Sequence, residues 1–212
     1  MNGKLLIALP KGRVYEPTIA LLARASIVFD HNTQTSRALI FEDSQTRYQF
    51  VALKPVDIPV YVESGVIDAG IVGSDILREG DSDVNEPLDL QIGKCRLAVA
   101  GQDGKPVSYH HNIRVATKYP RTANRFFQSK NAHVHIVRLE GSVEIAPLLG
   151  LADVIVDLVE TGRTLRENGM SIIEEVAAVS SKLIVNRTSM KMKPAAVNGL
   201  IADLDRIIYA NS

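Results

Sequence analysis

The chain has 212 residues, 46% of them hydrophobic, with 24 basic and 24 acidic side chains and a formal net charge of zero. That length builds one large domain or two small ones, and the balanced charge excludes a global field of the kind that holds a nucleic-acid backbone or an anionic membrane. A single cysteine, Cys95, excludes an internal disulfide and a thiolate zinc cluster. No stretch approaches the roughly 18 apolar residues of a membrane helix, so the expectation is a cytoplasmic protein that binds neither nucleic acid nor membrane and grips any anion locally.

Short apolar runs alternate with helical patterns, the signature of an α/β protein with a largely parallel sheet. KLLIAL (4–9) reads as a buried strand and residues 10–13 as the loop after it. Pro17 suits the first turn of a helix carrying Ile19, Leu22 and Ala23 on one face. ALIF (38–41) and YQFVAL (48–53) read as strands joined by a polar turn. Asp57 is placed to cap a helix that runs through Glu63 with Pro59 in its first turn; Gly65 ends it, and DAGIVG (68–73) is a strand. LDLQI and CRLAVAG, within 88–101, read as long strands crossing between two lobes. The alternation then restarts with IRVAT (113–117), a helix after Pro120, VHIVRL (134–139), a helix after Ser142, and VIVD (154–157). SKLIVNR (181–187) is a further strand, and 194–209 is an amphipathic helix with Val197, Leu200, Ile201, Leu204 and Ile208 on one face. The lobes divide as 1–93 with 180–212 and 94–179; they repeat an architecture without a residue-level repeat that aligns.

The stretch VIVDLVETGRTL (154–165) carries the strongest chemical signal. A strand ending in Asp157, then Glu160, Thr161, Gly162, Arg163 and Thr164 before a helix, places unpaired backbone N–H groups at a helix start, where partial positive charge gathers. Gly162 lets an oxygen approach the backbone, the threonines add hydroxyls, and Arg163 adds a charged donor. The fitting guest is a phosphate monoester, with Asp157 suited to sugar hydroxyls or a phosphate-bound magnesium, so a ribose 5-phosphate satisfies both ends. The plain alternative is an N-cap and a turn. LPKGR (9–13) adds Lys11 and Arg13 around Gly12 on the loop after the first strand, at the carboxyl end of a parallel sheet where ligands gather. Arg37 and Lys54 stand at strand ends, placed either to face a cleft or simply to be solvated.

LPKGR, SRALIF, KPVDIPVYVESGVIDAGIVGSDIL, KCRLAVAG, ATKYP and GSVEIAPLLGLADVIVDLVETGRTL follow one another in order and together resemble the short form of ATP phosphoribosyltransferase. The most specific block is Glu144 to Leu165, with Glu144, Gly150, Ala152, Asp157, Thr161, Gly162, Thr164 and Leu165 on the family's signature spacing. The resemblance implies a two-lobed fold like the type II periplasmic binding proteins, with the active site in the inter-lobe cleft. It implies that ATP and phosphoribosyl pyrophosphate condense to N1-(5-phosphoribosyl)-ATP and pyrophosphate with Mg²⁺, the first step of histidine biosynthesis. By the same analogy 157–164 holds the ribosyl phosphate, Lys11, Gly12 and Arg13 serve the nucleotide side, and Arg37 and Lys54 face the phosphates and stabilise the leaving pyrophosphate. Position 54 is often Arg in relatives, and Lys54 keeps a point charge without the bidentate fork. The short form further implies a regulatory subunit similar to histidyl-tRNA synthetase, a homodimer within a hetero-oligomer, and no inhibition by histidine in isolation.

Two rival readings remain at this stage. A salvage phosphoribosyltransferase would carry adjacent acids at the strand end, where this chain has Leu158 after Asp157. A non-catalytic sensor on the same two-lobed frame would bind the sugar phosphate without turnover. His133 and His135 share a strand face but have no third ligand nearby, His110 and His111 sit in a polar loop, Cys95 reads as a packed thiol, and Asn186-Arg187-Thr188 matches a glycosylation acceptor only in form.

Overall fold

The computed structural model describes residues 4–28, 39–45, 47–109 and 112–210. The chain folds as two compact units, residues 1–93 with 180–212 and residues 94–179. The first unit opens with β1 (Leu5–Pro10), α1 (Tyr15–Arg24), β2 (Ile40–Glu42), β3 (Tyr48–Leu53), α2 (Ile58–Glu63), β4 (Ala69–Gly73), α3 (Ser74–Glu79) and β5 (Asn85–Asp89). The second holds β6 (Cys95–Gln102), β7 (Ile113–Thr117), α4 (Pro120–Ser129), β8 (Val134–Arg138), α5 (Ile145–Leu148), β9 (Val154–Val159), α6 (Arg163–Glu167) and β10 (Met170–Val179). The chain returns to the first unit through β11 (Ser181–Val185), α7 (Arg187–Met192) and α8 (Pro194–Tyr209).

In the first unit β1 lies between β3 and β4, parallel to both, with Ile7 opposite Phe50 and Ala69. A strand covered on both faces must be apolar nearly throughout, which is why LLIALP does not alternate. Its successive side chains feed two layers. Leu5, Ile7 and Leu9 pack with Leu21 and Leu22 of α1 and with Val197, Leu200 and Leu204 of α8; Ala8 packs on the other face with Ile58 and Val62 of α2. The closeness of α2 depends on Gly70, where a Cβ would lie 2.5 Å from Ile58 Cγ2.

The sheet order is β2-β3-β1-β4-β11-β5. It is mixed rather than largely parallel, since β2 runs antiparallel to β3 and β11 antiparallel to β4 and β5. The β2–β3 turn is too short for a crossover, and Asp43 closes it by accepting a hydrogen bond from the Tyr48 amide at 2.7 Å. Among the described residues no strand runs through both units: β5 ends at Asp89 before β6 begins at Cys95, and β10 ends at Val179 before β11 begins at Ser181. β5 also starts earlier than LDLQI suggests and tolerates Pro87 because it is an edge strand.

The second sheet, β10-β6-β9-β7-β8, is parallel across β9, β7 and β8 and antiparallel across β10, β6 and β9. One face packs Leu97, Val99, Val115 and Val154 against Tyr119, Ala123 and Phe127 at α4. The other is floored by small side chains, Ala98, Ala100 and Ala116, beneath Val143, Ala146 and Leu165. That floor lets α5 and α6, each shorter than two turns, sit close to the sheet.

Two caps differ from expectation. Asp57 occupies the N-cap of α2 without a side-chain hydrogen bond. The Asn186 side chain does cap α7, accepting from the Thr188 and Ser189 amides at 2.9 Å while donating to Val62 O at 2.9 Å, so Asn186-Arg187-Thr188 is a helix start whose asparagine is buried. Among the described residues no helix is long and apolar enough to cross a membrane.

Candidate functional site

Because β9, β7 and β8 are mutually parallel, their following loops leave from one edge of the second sheet, the place where open α/β sheets receive ligands. Thr117 joins the first two of these ends: its Oγ1 donates to Val156 O at 2.6 Å and accepts from the Tyr119 amide at 2.9 Å. This pins β9 just ahead of Asp157. The strand continues to Val159, so Asp157 lies inside it, opposite Ala98, rather than at its end as the sequence suggests.

Beyond Val159 the chain turns through Glu160 and Thr161 to Gly162, whose φ of 70° lies in the left-handed region and makes it the N-cap of α6. A cavity of about 360 Å³ opens on this turn, lined by Asp157, Glu160, Thr161, Gly162, Arg163 and Thr164, and also by Glu144 at the start of α5. That volume lies in the range of small-molecule sites. Asp157 is half-buried, while Glu160, Thr161, Arg163 and Thr164 are exposed. The Arg163 amide reaches only the Thr161 hydroxyl, at 3.3 Å. Among the described residues no protein acceptor takes the Gly162, Thr164 or Leu165 amides. The cradle is therefore unsaturated and faces an opening, the two conditions an anion site needs.

Some details revise the expectation. α6 has five residues, so a helix macrodipole adds little and the charge must come from individual amides. The Arg163 guanidinium is turned along the helix, Nε donating to Glu167 Oε1 at 2.7 Å. The cation gripping the loop is Arg166, one helical turn beyond Gly162, whose Nη1 donates to Thr161 O at 3.0 Å. Sequence reasoning missed Arg166, although the i to i+4 spacing from Gly162 was a usable signal. It also gave no role to Glu144, which the fold brings to the same cavity from another element.

The remaining candidates lie in the first unit. Lys11 and Lys54 leave the carboxyl ends of the paired strands β1 and β3, joined by the Lys11 amide donating to Leu53 O at 2.8 Å. Gly12 has φ 88°, with nothing within 4 Å of where a Cβ would stand. Arg13 Nη2 donates to Gly93 O at 3.4 Å. Lys11, Arg13 and Lys54 are exposed. Arg37, His110 and His111 fall outside the described residues. Among those described, no group of three His, Cys, Asp or Glu side chains is gathered for a metal.

A family model for ATP phosphoribosyltransferase matches residues 54–206. The ATP phosphoribosyltransferase of Caldanaerobacter subterraneus subsp. tengcongensis is 48% identical over 202 residues, covering 95% of this chain and 96% of that protein. That of Syntrophotalea carbinolica is 43% identical, covering 98% and 97%. Among solved structures, a chain of the ATP phosphoribosyl transferase (HisG:HisZ) complex from Thermotoga maritima is 33% identical with a TM-score of 0.83, covering 96% of this chain and 98% of that one. The periplasmic aliphatic sulphonate binding protein SsuA from Escherichia coli aligns with a TM-score of 0.62 at 12% identity, over 98% of this chain and 69% of that one, a likeness of fold alone.

Proposed function

This chain belongs to the ATP phosphoribosyltransferase family, and from that membership we infer that it joins ATP to phosphoribosyl pyrophosphate. The products are N1-(5-phosphoribosyl)-ATP and pyrophosphate, the first step of histidine biosynthesis. The observation that carries the assignment of roles is the unsaturated loop at 161–165 beside Asp157. In this reading the Gly162, Thr164 and Leu165 amides and the threonine hydroxyls hold the 5-phosphate, and the Asp157 carboxylate accepts from the ribose hydroxyls.

The adenine N1 already carries a lone pair, so no general base is needed to make the nucleophile. The barrier lies in the departing pyrophosphate. As the anomeric C–O bond breaks, its electron pair goes to the pyrophosphate oxygen; positive charge builds transiently on the ribosyl ring and passes to the adenine as the N1 lone pair forms the new bond to carbon. Fixed cations are the chemistry this requires. Lys54 and Arg37 are assigned to the phosphates on that ground, and Lys11, Gly12 and Arg13 to the nucleotide. Mg²⁺ would be carried by the substrate phosphates, and the carboxylates that line the cavity, Glu144, Asp157 and Glu160, are the side chains that would supply it oxygen ligands. When bound it neutralises charge on the pyrophosphate.

A regulatory subunit similar to histidyl-tRNA synthetase is the proposed partner, supported by the match to a chain solved within a HisG:HisZ complex. This chain would act there as a homodimer within the hetero-oligomer, in the cytoplasm, where ATP and phosphoribosyl pyrophosphate are made. The test is to mix the pure chain, with and without that subunit, with ATP, phosphoribosyl pyrophosphate and Mg²⁺. Pyrophosphate release with growth of the N1-alkylated adenine chromophore is expected. Binding of the sugar phosphate with no pyrophosphate release under either condition would leave a sensor, not an enzyme.

A further inference from the structure

We propose that Arg166 is the positioning residue of the phosphate loop, acting from behind it on the backbone and never touching the phosphate; this rests on the reading of 161–165 as the 5-phosphate cradle. Residue 166 holds two successive carbonyls. Its guanidinium Nη1 donates to Thr161 O at 3.0 Å, and its own amide donates to Gly162 O at 3.1 Å. In a trans peptide the carbonyl and the following N–H point in opposite directions, and no cis bond occurs among the described residues. Fixing Thr161 O toward Arg166 therefore turns the Gly162 N–H away from it, and Gly162 faces the cavity without a protein acceptor for that amide. The same two bonds draw toward residue 166 the two carbonyl dipoles that would repel an anion.

The placement of the side chain separates this role from direct binding. Arg163 lines the cavity and Arg166 does not. The guanidinium instead occupies the space behind Gly162, with Nη1 3.2 Å from where a Cβ would stand. Glycine at 162 thus serves twice: it accepts the left-handed φ, and it leaves room for the cation that orients the preceding peptide. Arg163, the basic residue inside the motif, is paired with Glu167 and cannot hold the Thr161 carbonyl in this arrangement.

Arg166→Ala, Arg166→Lys and wild type are compared with phosphoribosyl pyrophosphate as the probe, by steady-state kinetics, thermal melting and the amide resonance of Gly162. Arg166→Ala is expected to raise the KM for phosphoribosyl pyrophosphate about tenfold, with kcat and the KM for ATP within about twofold, since a remote grip on a non-reacting phosphate is uniform binding. Its melting midpoint stays near wild type, and the ligand-free Gly162 resonance broadens or splits as the peptide samples other orientations. Arg166→Lys, which keeps a cationic donor, recovers most of the affinity. An unchanged KM, or a raised KM with an unchanged ligand-free Gly162 resonance, overturns the proposal; the second outcome would mean direct phosphate contact. If phosphoribosyl pyrophosphate leaves the wild-type Gly162 amide unperturbed, the cradle reading itself fails. If it shifts that amide and Arg166→Ala still binds as wild type does, only the role of Arg166 fails.

Discussion

Strands β4 and β9 begin by the same device and end by opposite ones. Asp68, just before β4, accepts from the amide of Leu6 in the parallel neighbour β1 at 2.9 Å and donates its own amide to Leu6 O at 3.0 Å. Asp153, just before β9, does the same to Arg114 of the parallel neighbour β7, at 2.7 and 2.8 Å. After β4, the Ser74 amide donates to Ser180 O at 2.9 Å. After β9, the Gly162, Thr164 and Leu165 amides meet no protein acceptor among the described residues. The construction is shared. What distinguishes the site is a turn left unfinished by the protein.

The shared end differs in depth, and that difference yields the largest expected effect. The Asp68 side chain is 10% exposed and also takes Lys193 at 2.8 Å and Ser189 at 2.6 Å; the Asp153 side chain is 40% exposed and pairs with Arg114. Breaking a mostly buried ion pair costs about 3 kcal/mol or more, reduced here because Lys193 reaches partly into solvent. Asp68→Asn is therefore expected to destabilise the fold by about 2–3 kcal/mol, measured by denaturant titration, and Asp153→Asn by far less. Burial pushes the Asp68 carboxyl up, but hydrogen bonds from Lys193, Ser189 and the Leu6 amide outweigh it and hold it below the ordinary value of 3.8. The stability it contributes is then fully present above pH 3.8 and lost as pH falls through the lowered folded value. The gap between wild type and Asp68→Asn should close below pH 3.8, and a gap constant with pH would refute this account.

The open end predicts the next effect. A Cβ at Gly162 forces a left-handed residue, at a cost of about 1–2 kcal/mol, and displaces Arg166 Nη1 from 3.2 Å. Gly162→Ala should raise the KM for phosphoribosyl pyrophosphate about 30-fold, or about 2 kcal/mol. Gly12→Ala in the first unit meets open space and carries strain only, so its effect, on ATP, should be severalfold. Equal effects at the two glycines would erase the distinction between a backbone cradle and a loop that works through exposed cations.

Much of this was legible where burial imposes a simple pattern. β3 and β7 fall where YQFVAL and IRVAT place them, and α8 where its 3.6-residue stripe does. β10 was not readable, because it carries Glu174 and Glu175 and its register slips between Ile172 and Glu174 and again between Glu175 and Ala177, which destroys the period of two. α3 and α7 span too few turns to show periodicity. Strand direction is invisible locally: nothing in SKLIV says that it runs against β4. The matched turns at Asp68 and Asp153 escaped notice because only the aspartate and the apolar run after it recur. At the site, Thr161, Gly162 and Thr164 announced themselves by type and spacing, whereas Arg166 acts on a backbone carbonyl, and its only trace in the sequence is its i to i+4 spacing from Gly162.

Arg163→Ala carries the smallest expected effect and tests the comparison most finely. The residue stands inside the motif, bears a full charge and borders the cavity, so a reading by charge ranks it above any backbone amide. The geometry ranks it last, because its guanidinium is spent on Glu167 and its amide, present in alanine too, is what faces the Thr161 hydroxyl. An exposed i to i+4 ion pair is worth little, so Arg163→Ala should change the KM for phosphoribosyl pyrophosphate by less than about twofold. A tenfold rise, about 1.4 kcal/mol, would mean that the side chain leaves Glu167 for the phosphate when ligand arrives. Glu167→Ala should then strengthen binding by freeing the arginine, whereas a backbone cradle leaves Glu167→Ala without effect.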